Sequence, residues 1–385
     1  MLSGPDAPDV EVVPAEVADD DVLATVHDRD YVAAVRAASD DPSGRADPAY
    51  GLGTDDDPAF AGMHDASARI VGGTVDVARA VGEGRAQHGV NFAGGMHHAM
   101  PGRASGFCVY NDVAAGVRAL LDAGAQRVAY VDVDVHHGDG VERVFWDDPR
   151  VLTISLHESG RMLFPGTGFP DDLGGPAAEG TAVNVALPPG TGDAGWLRAL
   201  HAVVPRSSAP SSPTSSSPST AATATPSTRS PTSPSPSTPS ASPRSSSTRL
   251  AHEVADGRWV ATGGGGYEVV DVVPRSWAHL VALAAHRPVD PTTAVPRAWL
   301  DHVARSLDRT GPQRMTDGST PGGGRGRSAT TPTTRSTAPS SPPARPSSPC
   351  TVWILGSTRS FVPGSRSRPG RPGHPPADWL ARGSP

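Results

Sequence analysis

Three short stretches hold residue types that could do chemistry. In "VDVDVHHGDG", residues 131–140, Asp132, Asp134 and His136 alternate with Val131, Val133 and Val135. On a strand this spacing puts the three polar side chains on one face, at the C-terminal end where open α/β sheets hold their ligands. A carboxylate and an imidazole two residues apart suit Zn²⁺ or a similar divalent ion. Taken alone, Asp-x-His equally suits a polar strand end capped by turn residues. Upstream, "GGMHHAMPGRASGFCVYND" sets His97 and His98 behind Gly94 and Gly95. The glycines let backbone approach a ligand closely while two imidazoles enter one pocket. Each imidazole would need a carboxylate to fix its tautomer, and Asp132 and Asp139 are the candidates; a satisfied pair of structural histidines is the alternative. The third stretch is "GGGGYE", residues 263–268. Its glycines could line a cavity, and the Tyr267 phenol could hydrogen-bond a developing oxyanion. A phosphate-cradling loop competes, but no lysine and no Gly-Lys-Ser/Thr follows.

These residues need a frame to hold them. "NDVAAGVRALLDAG" reads as an amphipathic helix, with Asn111 or Asp112 as N-cap, an apolar stripe of Val113, Val117, Leu120 and Leu121, and Gly124 as its stop. "RVAYVDVDV", "VLTISLH" and "TAVNVAL" are short and β-branched, and "RWVATGGGGYEVVDVV" gives a strand ending in a glycine-rich loop. The alternation predicts an α/β fold, a mostly parallel sheet with helices on both faces. The 385 residues leave room for a sizeable core. A net charge of −7 gives no electrostatic case for nucleic acid or membrane partners. Cys108 and Cys350, without a CxxC, argue against disulfides and against a thiolate zinc site. No signal-peptide pattern opens the chain and no apolar run approaches the roughly 18 residues of a membrane span. The expected setting is a reducing cytoplasm.

Two compositional breaks divide the chain. Residues 206–248 use only Ser, Thr, Pro, Ala and Arg, and from Ser319 to Pro385 the sequence is again Ser, Thr, Pro, Gly and Arg with almost no acid. The expected organisation is an N-terminal part at 1–205, the low-complexity run at 206–248, a C-terminal part with the glycine loop at 249–318, and a tail at 319–385.

Five segments in order, "YGLGTDDDPAFAGMHDASARIVGG", "GGMHHAMPGRASGFCVYNDVA", "YVDVDVHHGDGVERVF", "TISLHESGRMLFPGTG" and "ATGGGGYE", resemble the histone deacetylase superfamily, and within it the bacterial acetoin-utilisation (AcuC-type) deacetylases. The resemblance implies an arginase/deacetylase-like single domain that hydrolyses an acetyl amide with Zn²⁺, or Fe²⁺ in its place. It makes Asp134 and His136 two of three metal ligands, His98 the general base and His97 its partner. Asp139 and Asp132 become the carboxylates behind them, and Tyr267 the group that polarises the acetyl carbonyl. Gly106, Phe107 and Phe164 would wall an acetyl-lysine tunnel, with Asp56 as the rim carboxylate. Asp132, Asp134, His136, Ser155 and Leu156 would form a structural cation site suited to K⁺. An acetylated protein or small amide is the implied substrate. A catalytically inactive acyl-lysine-binding protein and an acetylpolyamine deacetylase are the alternatives, the second kept open by Asp55, Asp56 and Asp57.

The third family ligand, an aspartate, belongs between "NVALPPG" and "GGGGY", where this chain has its low-complexity run. A serine codon TCN read one base earlier becomes NTC, for Leu, Val, Ile or Phe, so a reading-frame slip would hide an apolar strand. In that frame "PSTAATATPSTRS" can contain Gly-Gly-Asp, the aspartate spanning the codons of Ala222 and Thr223. The tail behaves similarly: "ATTPTTRST", residues 329–337, can hide an acidic turn. A true Ser/Thr/Pro linker is the rival reading, although so long a structureless run is unusual inside a domain. The family's first strand and helix also have no counterpart before Val10, as a missed start would produce.

Overall fold

Short β-branched runs build the sheet, and the residues that follow each run build the site. A computed structural model describes residues 10–207, 220–225, 251–316 and 352–355, with backbone alone at 205–207, 220–225 and 352–355. The strands are β1 (Val10–Val13), β2 (His88–Asn91), β3 (Arg127–Asp132), β4 (Val151–Glu158), β5 (Ala182–Leu187), β6 (Thr220–Thr225), β7 (Trp259–Thr262) and β8 (Val352–Leu355). They form one sheet in the order β1-β8-β2-β7-β6-β3-β4-β5, and every pairing is parallel. The helices are α1 (Asp20–Leu23), α2 (Arg29–Asp40), α3 (Met63–Gly82), α4 (Asp112–Asp122), α5 (Asp139–Val144), α6 (Asp193–Ser207), α7 (Val273–Ala284) and α8 (Arg297–Leu307), with a further helical turn at 251–254.

Parallel strands need crossovers, and the crossover helices cover both faces, as the sequence predicts. On one face Val71, Val75 and Val77 of α3 and Val117 and Leu120 of α4 share a core with Val128, Tyr130 and Val260. On the other, Leu200 and Val204 of α6 meet Val131, Ile154 and Leu156. Leu280 and Val281 of α7 meet Val90, Trp259 and Ala261 there. The period of two along β3 sends Tyr130 to one side and Val131 to the other. α4 starts at Asn111, whose side chain accepts from the Ala114 N–H, and Gly124 just beyond its end takes φ +98. Asp112 is therefore not the cap, which frees its carboxylate for another task.

The strand expected through Val135 stops at Asp132. The reason is local: Asp132 Oδ1 accepts from the Asp134 N–H at 2.9 Å, and Asp134 Oδ1 from the His136 N–H at 2.8 Å. Aspartate side chains that bond backbone two residues on replace the sheet ladder with a turn. Asp134 and His136 thus ride on a bend beyond the sheet, not on a strand face.

Within the low-complexity run, the Thr/Ala hexad Thr220–Thr225 lies between β3 and β7, with Arg127 opposite Thr220 and Asp132 opposite Thr225. β-branched threonines make this the run's best strand former. The remainder of 206–248 lies outside the described residues. So does the tail expected at 319–385, except that its most apolar tetrad, Val352–Leu355, pairs between β1 and β2.

The loops after β2 and β7 meet backbone to backbone. The Gly263 N–H donates to the Asn91 carbonyl at 2.8 Å. A Cβ on Gly263 would sit 2.0 Å from the Phe92 carbonyl oxygen, and one on Gly95 2.5 Å from that of Gly263. No L side chain fits between them. We expect Gly263→Ala to cost about 1–3 kcal/mol in urea unfolding, the range for overpacking. Gly192→Ala, with nothing within 4 Å of its Cβ, should stay within about 0.5 kcal/mol of the parent.

Candidate active site

Asp132, the last residue of β3, is fully buried and holds three donors at once. Its Oδ2 accepts from His97 Nδ1 at 2.6 Å and from the Tyr130 hydroxyl at 2.5 Å, and its Oδ1 takes the Asp134 N–H. His98 Nδ1 donates to Asp139 Oδ1 at 2.7 Å, at the first turn of α5. The two imidazole rings stand 4.0 Å apart. With both Nδ1 atoms bound to carboxylates, each ring keeps Nε2 for the cavity.

The two histidines differ electrically. Burial works against a charged His97, but the adjacent Asp132 charge and hydrogen bond, with Asp134 and Asp139 behind them, lift its pKa to about 9. His98 moves below the ordinary value through burial and then the neighbouring His97 charge, despite the opposing pull of Asp139. One ring thus favours the cation and the other the free base, the separation that acid–base chemistry needs. Burial would raise Asp134, yet the His136 hydrogen bond and the His97 charge bring it down to about 2.

These rings form the floor of a cavity of about 350 Å³ lined also by Asp134, His136, Asp56, Gly106, Phe107, Phe164 and Tyr267. The Gly106 N–H donates to Asp56 Oδ2 at 2.7 Å. Phe107, at φ +64, and Phe164 leave large ring areas exposed at the walls. Phe164 stands edge-on to His98 at 5.0 Å, and Phe107 faces Tyr267 at 6.4 Å. Burial, then the Asp134 charge, raises the Tyr267 pKa and keeps the phenol protonated. The structure therefore brings together the histidines, the Asp134/His136 pair, the aromatic walls and the tyrosine that the sequence singles out. Asp132 and Asp139 stand just behind the rings. Of the acidic trio, Asp57 is buried and pushed up to about 7 by burial and by Asp56, so among the three only Asp56 lines the cavity.

Ser155 pairs opposite Asp132 in the sheet, and Leu156 beside it is fully buried. The Gly168 carbonyl takes the His157 Nε2 proton at 2.8 Å, so His157 Nδ1 accepts from the Ser155 hydroxyl, also at 2.8 Å. The serine oxygen lone pairs remain for a cation.

Asp134 Oδ1 and His136 Nδ1 lie 3.0 Å apart at the cavity wall. A carboxylate oxygen and an imidazole nitrogen this close fit two neighbouring corners of a divalent-ion site. Among the described residues no third carboxylate, imidazole or thiol joins them within ligand spacing. The sequence itself has no Asp, Glu, His or Cys between His201 and His252. Register also places Ala222 and Thr223 opposite Ala129 and Tyr130, in mid-strand.

Some supporting residues escape a sequence reading. Asp112, assigned there only to capping, accepts instead from the Gly95 and Met96 N–H groups at 3.0 and 2.7 Å and from Thr74, tying the histidine loop to α3 and α4. Nothing in its spacing signals this. Tyr130 was legible, since i and i+2 share a strand face. Met96 and Cys108 also line the cavity, and burial pushes the Cys108 thiol up, leaving it un-ionised.

The comparisons with known proteins agree with this geometry. The family described as "Histone deacetylase domain" matches residues 3–219. The acetoin utilization protein AcuC of Bacillus subtilis (strain 168) is 39% identical over 294 residues, covering 76% of this chain and 75% of its own. Its counterpart in Staphylococcus xylosus is 36% identical over 291 residues, 75% of each chain. Among solved structures, an HDAC homolog complexed with SAHA superposes with a TM-score of 0.65 at 25% identity, over 81% of this chain and 84% of the other. One from Aquifex aeolicus gives 0.64 at 26%, over 80% and 83%. A parallel sheet of this order, two carboxylate-backed histidines and relatives over three quarters of the length lead to one assignment: the chain belongs to the histone deacetylase family, as a member of its AcuC type.

Proposed function

We propose that this chain hydrolyses the acetyl amide of an acetyl-lysine, in a protein or a small amide, through the cavity above His97 and His98. One observation carries the reading: at the floor of an aromatic-walled cavity, burial and the His97 charge keep His98 a free base, oriented by its hydrogen bond to Asp139, while Asp132 holds His97 as a cation. His98 Nε2 takes a proton from the attacking water and passes it to the amine as the C–N bond breaks, leaving acetate and the free amine. His97 keeps its proton and offsets the negative charge that builds on the carbonyl oxygen. Tyr267 donates its phenol hydrogen to that oxygen. Phe107 and Phe164 take the apolar lysine stem, and Asp56, anchored by the Gly106 N–H, holds the rim. With one carboxylate of the acidic trio at the cavity, little there would recognise a polyamine.

Asp134 and His136 are the donors for a divalent ion, Zn²⁺ or Fe²⁺, which when bound supplies Lewis acidity to the carbonyl and acidity to the water. Ser155, Leu156, Asp132, Asp134 and His136 would hold K⁺ beneath it. With two protein donors instead of three, the divalent ion is held weakly and activity needs added metal. No helix among the described residues is long and apolar enough to cross a membrane.

At saturating Zn²⁺, His98→Ala should lower kcat on an acetyl-lysine peptide by about 10²–10⁴-fold, the usual worth of a positioned base. Tyr267→Phe should lower it by about 10²–10³-fold with little change in KM. Either variant turning over at the parent rate would remove that residue from the chemistry. Because His98 sits below the ordinary 6.5, it stays a free base at pH 6.5 and the acid limb of kcat/KM should fall only below that; a limb centred above 6.5 would contradict the assignment. A chain carrying residues 206–248 in the shifted reading frame should need at least about 10–100-fold less zinc for half-maximal turnover, the range for losing a mere supporting partner of a ligand, and equal zinc requirements would show that the run hides no donor.

A further inference from the structure

At the opposite, N-terminal edge of the sheet, three histidines from three elements come together: His88 begins β2, His252 lies in the helical turn at 251–254, and His286 follows α7. One ring nitrogen of each lies within 4.8 Å of the others. The rings stand 5.4 Å (His88 and His252), 4.6 Å (His88 and His286) and 5.4 Å (His252 and His286) apart. His88 is fully buried, whereas His252 and His286 are exposed.

The His88 tautomer is fixed by what it touches. Its Nδ1 lies 2.7 Å from the Ala284 carbonyl, which can only accept, so Nδ1 carries the hydrogen. Nε2 therefore bears a lone pair and is buried with no hydrogen-bond donor to it, the Gly257 backbone lying near the ring. A buried lone pair without a donor costs free energy. An imidazole whose far nitrogen donates to a backbone carbonyl, leaving the near one bare, is the arrangement in which histidines bind metals. The surroundings make room for it. Gly257, at φ +79, is where a Cβ would meet the His252 ring at 2.8 Å, so the glycine lets that ring lie against β2. His286 takes φ +53, an uncommon backbone state for a side chain of its size, which sets its ring beside that of His88.

We propose that His88, His252 and His286 form a second divalent-metal site, taking a Zn²⁺-class ion on three imidazole nitrogens with one position left to water. Nitrogen–metal bonds of about 2.0–2.1 Å need donors closer together than the present spacing, and the two exposed rings can supply the movement. The ion would tie the start of β2 and the end of α7 to the turn that opens just after the low-complexity run. The site is independent of the acetyl-amide reading, since none of its residues lines that cavity.

The test uses the full chain without a histidine tag, stripped of metal and titrated with Zn²⁺ and with Co²⁺. His252→Ala/His286→Ala replaces only exposed rings, and its circular dichroism and metal-saturated deacetylase turnover should match the parent. It should lose one zinc equivalent, while Asp134→Ala/His136→Ala keeps that equivalent. In the Asp134→Ala/His136→Ala chain, Co²⁺ should give the visible absorption of a four-coordinate nitrogen site and Zn²⁺ should raise the unfolding midpoint. Both signals should vanish when His252→Ala/His286→Ala is added. Equal zinc stoichiometry in the parent and His252→Ala/His286→Ala, or a Co²⁺ spectrum unchanged by the added substitutions, would overturn the proposal.

Discussion

The site depends on one buried carboxylate. Asp132 ends β3 with no exposure to water and takes hydrogens from His97, Tyr130 and the Asp134 backbone. A bare carboxylate in such a place would be driven neutral. Three donors satisfy its oxygens, and its contact with His97 raises that ring's pKa against the effect of burial. The same residue turns the chain out of the sheet, which carries Asp134 and His136 onto their bend. Position, charge and backbone direction at the site thus share a single origin. The neighbouring His98–Asp139 pair repeats the contact one element further on, but with the opposite electrical result, because burial and then the His97 charge outweigh the pull of Asp139.

Much of this was legible in the sequence because it is local. The strand/helix alternation fixes a parallel sheet with two covered faces, and Asp-x-Asp-x-His after a β-branched run fixes a polar sheet edge. Naming Asp132 and Asp139 as the carboxylates behind His97 and His98 needed only the chemical demand that each ring have one; which serves which ring is seen only in the fold. Long-range contacts were not legible. Asp112 reads as a helix start, and its hold on the Gly95–Met96 backbone appears only when α4 packs beneath that loop. The end of β3 was misplaced because alternation was read as strand, while the aspartates preferred their own backbone two residues on. The histidine cluster at the other edge was invisible for the same reason: its members lie 164 and 34 residues apart, 88 to 252 and 252 to 286, and no spacing links them.

The low-complexity run contributes an interior strand of the sheet. β6 is the sole bridge between β3, which carries the site's carboxylate, and β7, which leads into the glycine loop and Tyr267. Threonines and alanines satisfy the backbone pairing there, since a ladder needs only N–H and C=O groups. They cannot supply a metal donor. The written sequence is thus able to continue the sheet while adding no Asp, Glu, His or Cys beside the Asp134/His136 pair.

The most direct measurement is turnover of an acetyl-lysine peptide at saturating Zn²⁺ by Asp132→Asn, with circular dichroism confirming the fold. If Asp132 organises the site as described, kcat falls by about 10–100-fold, as for the loss of a supporting carboxylate, and adding His97→Ala lowers it no further. Asp132→Asn turning over at the parent rate would contradict the account.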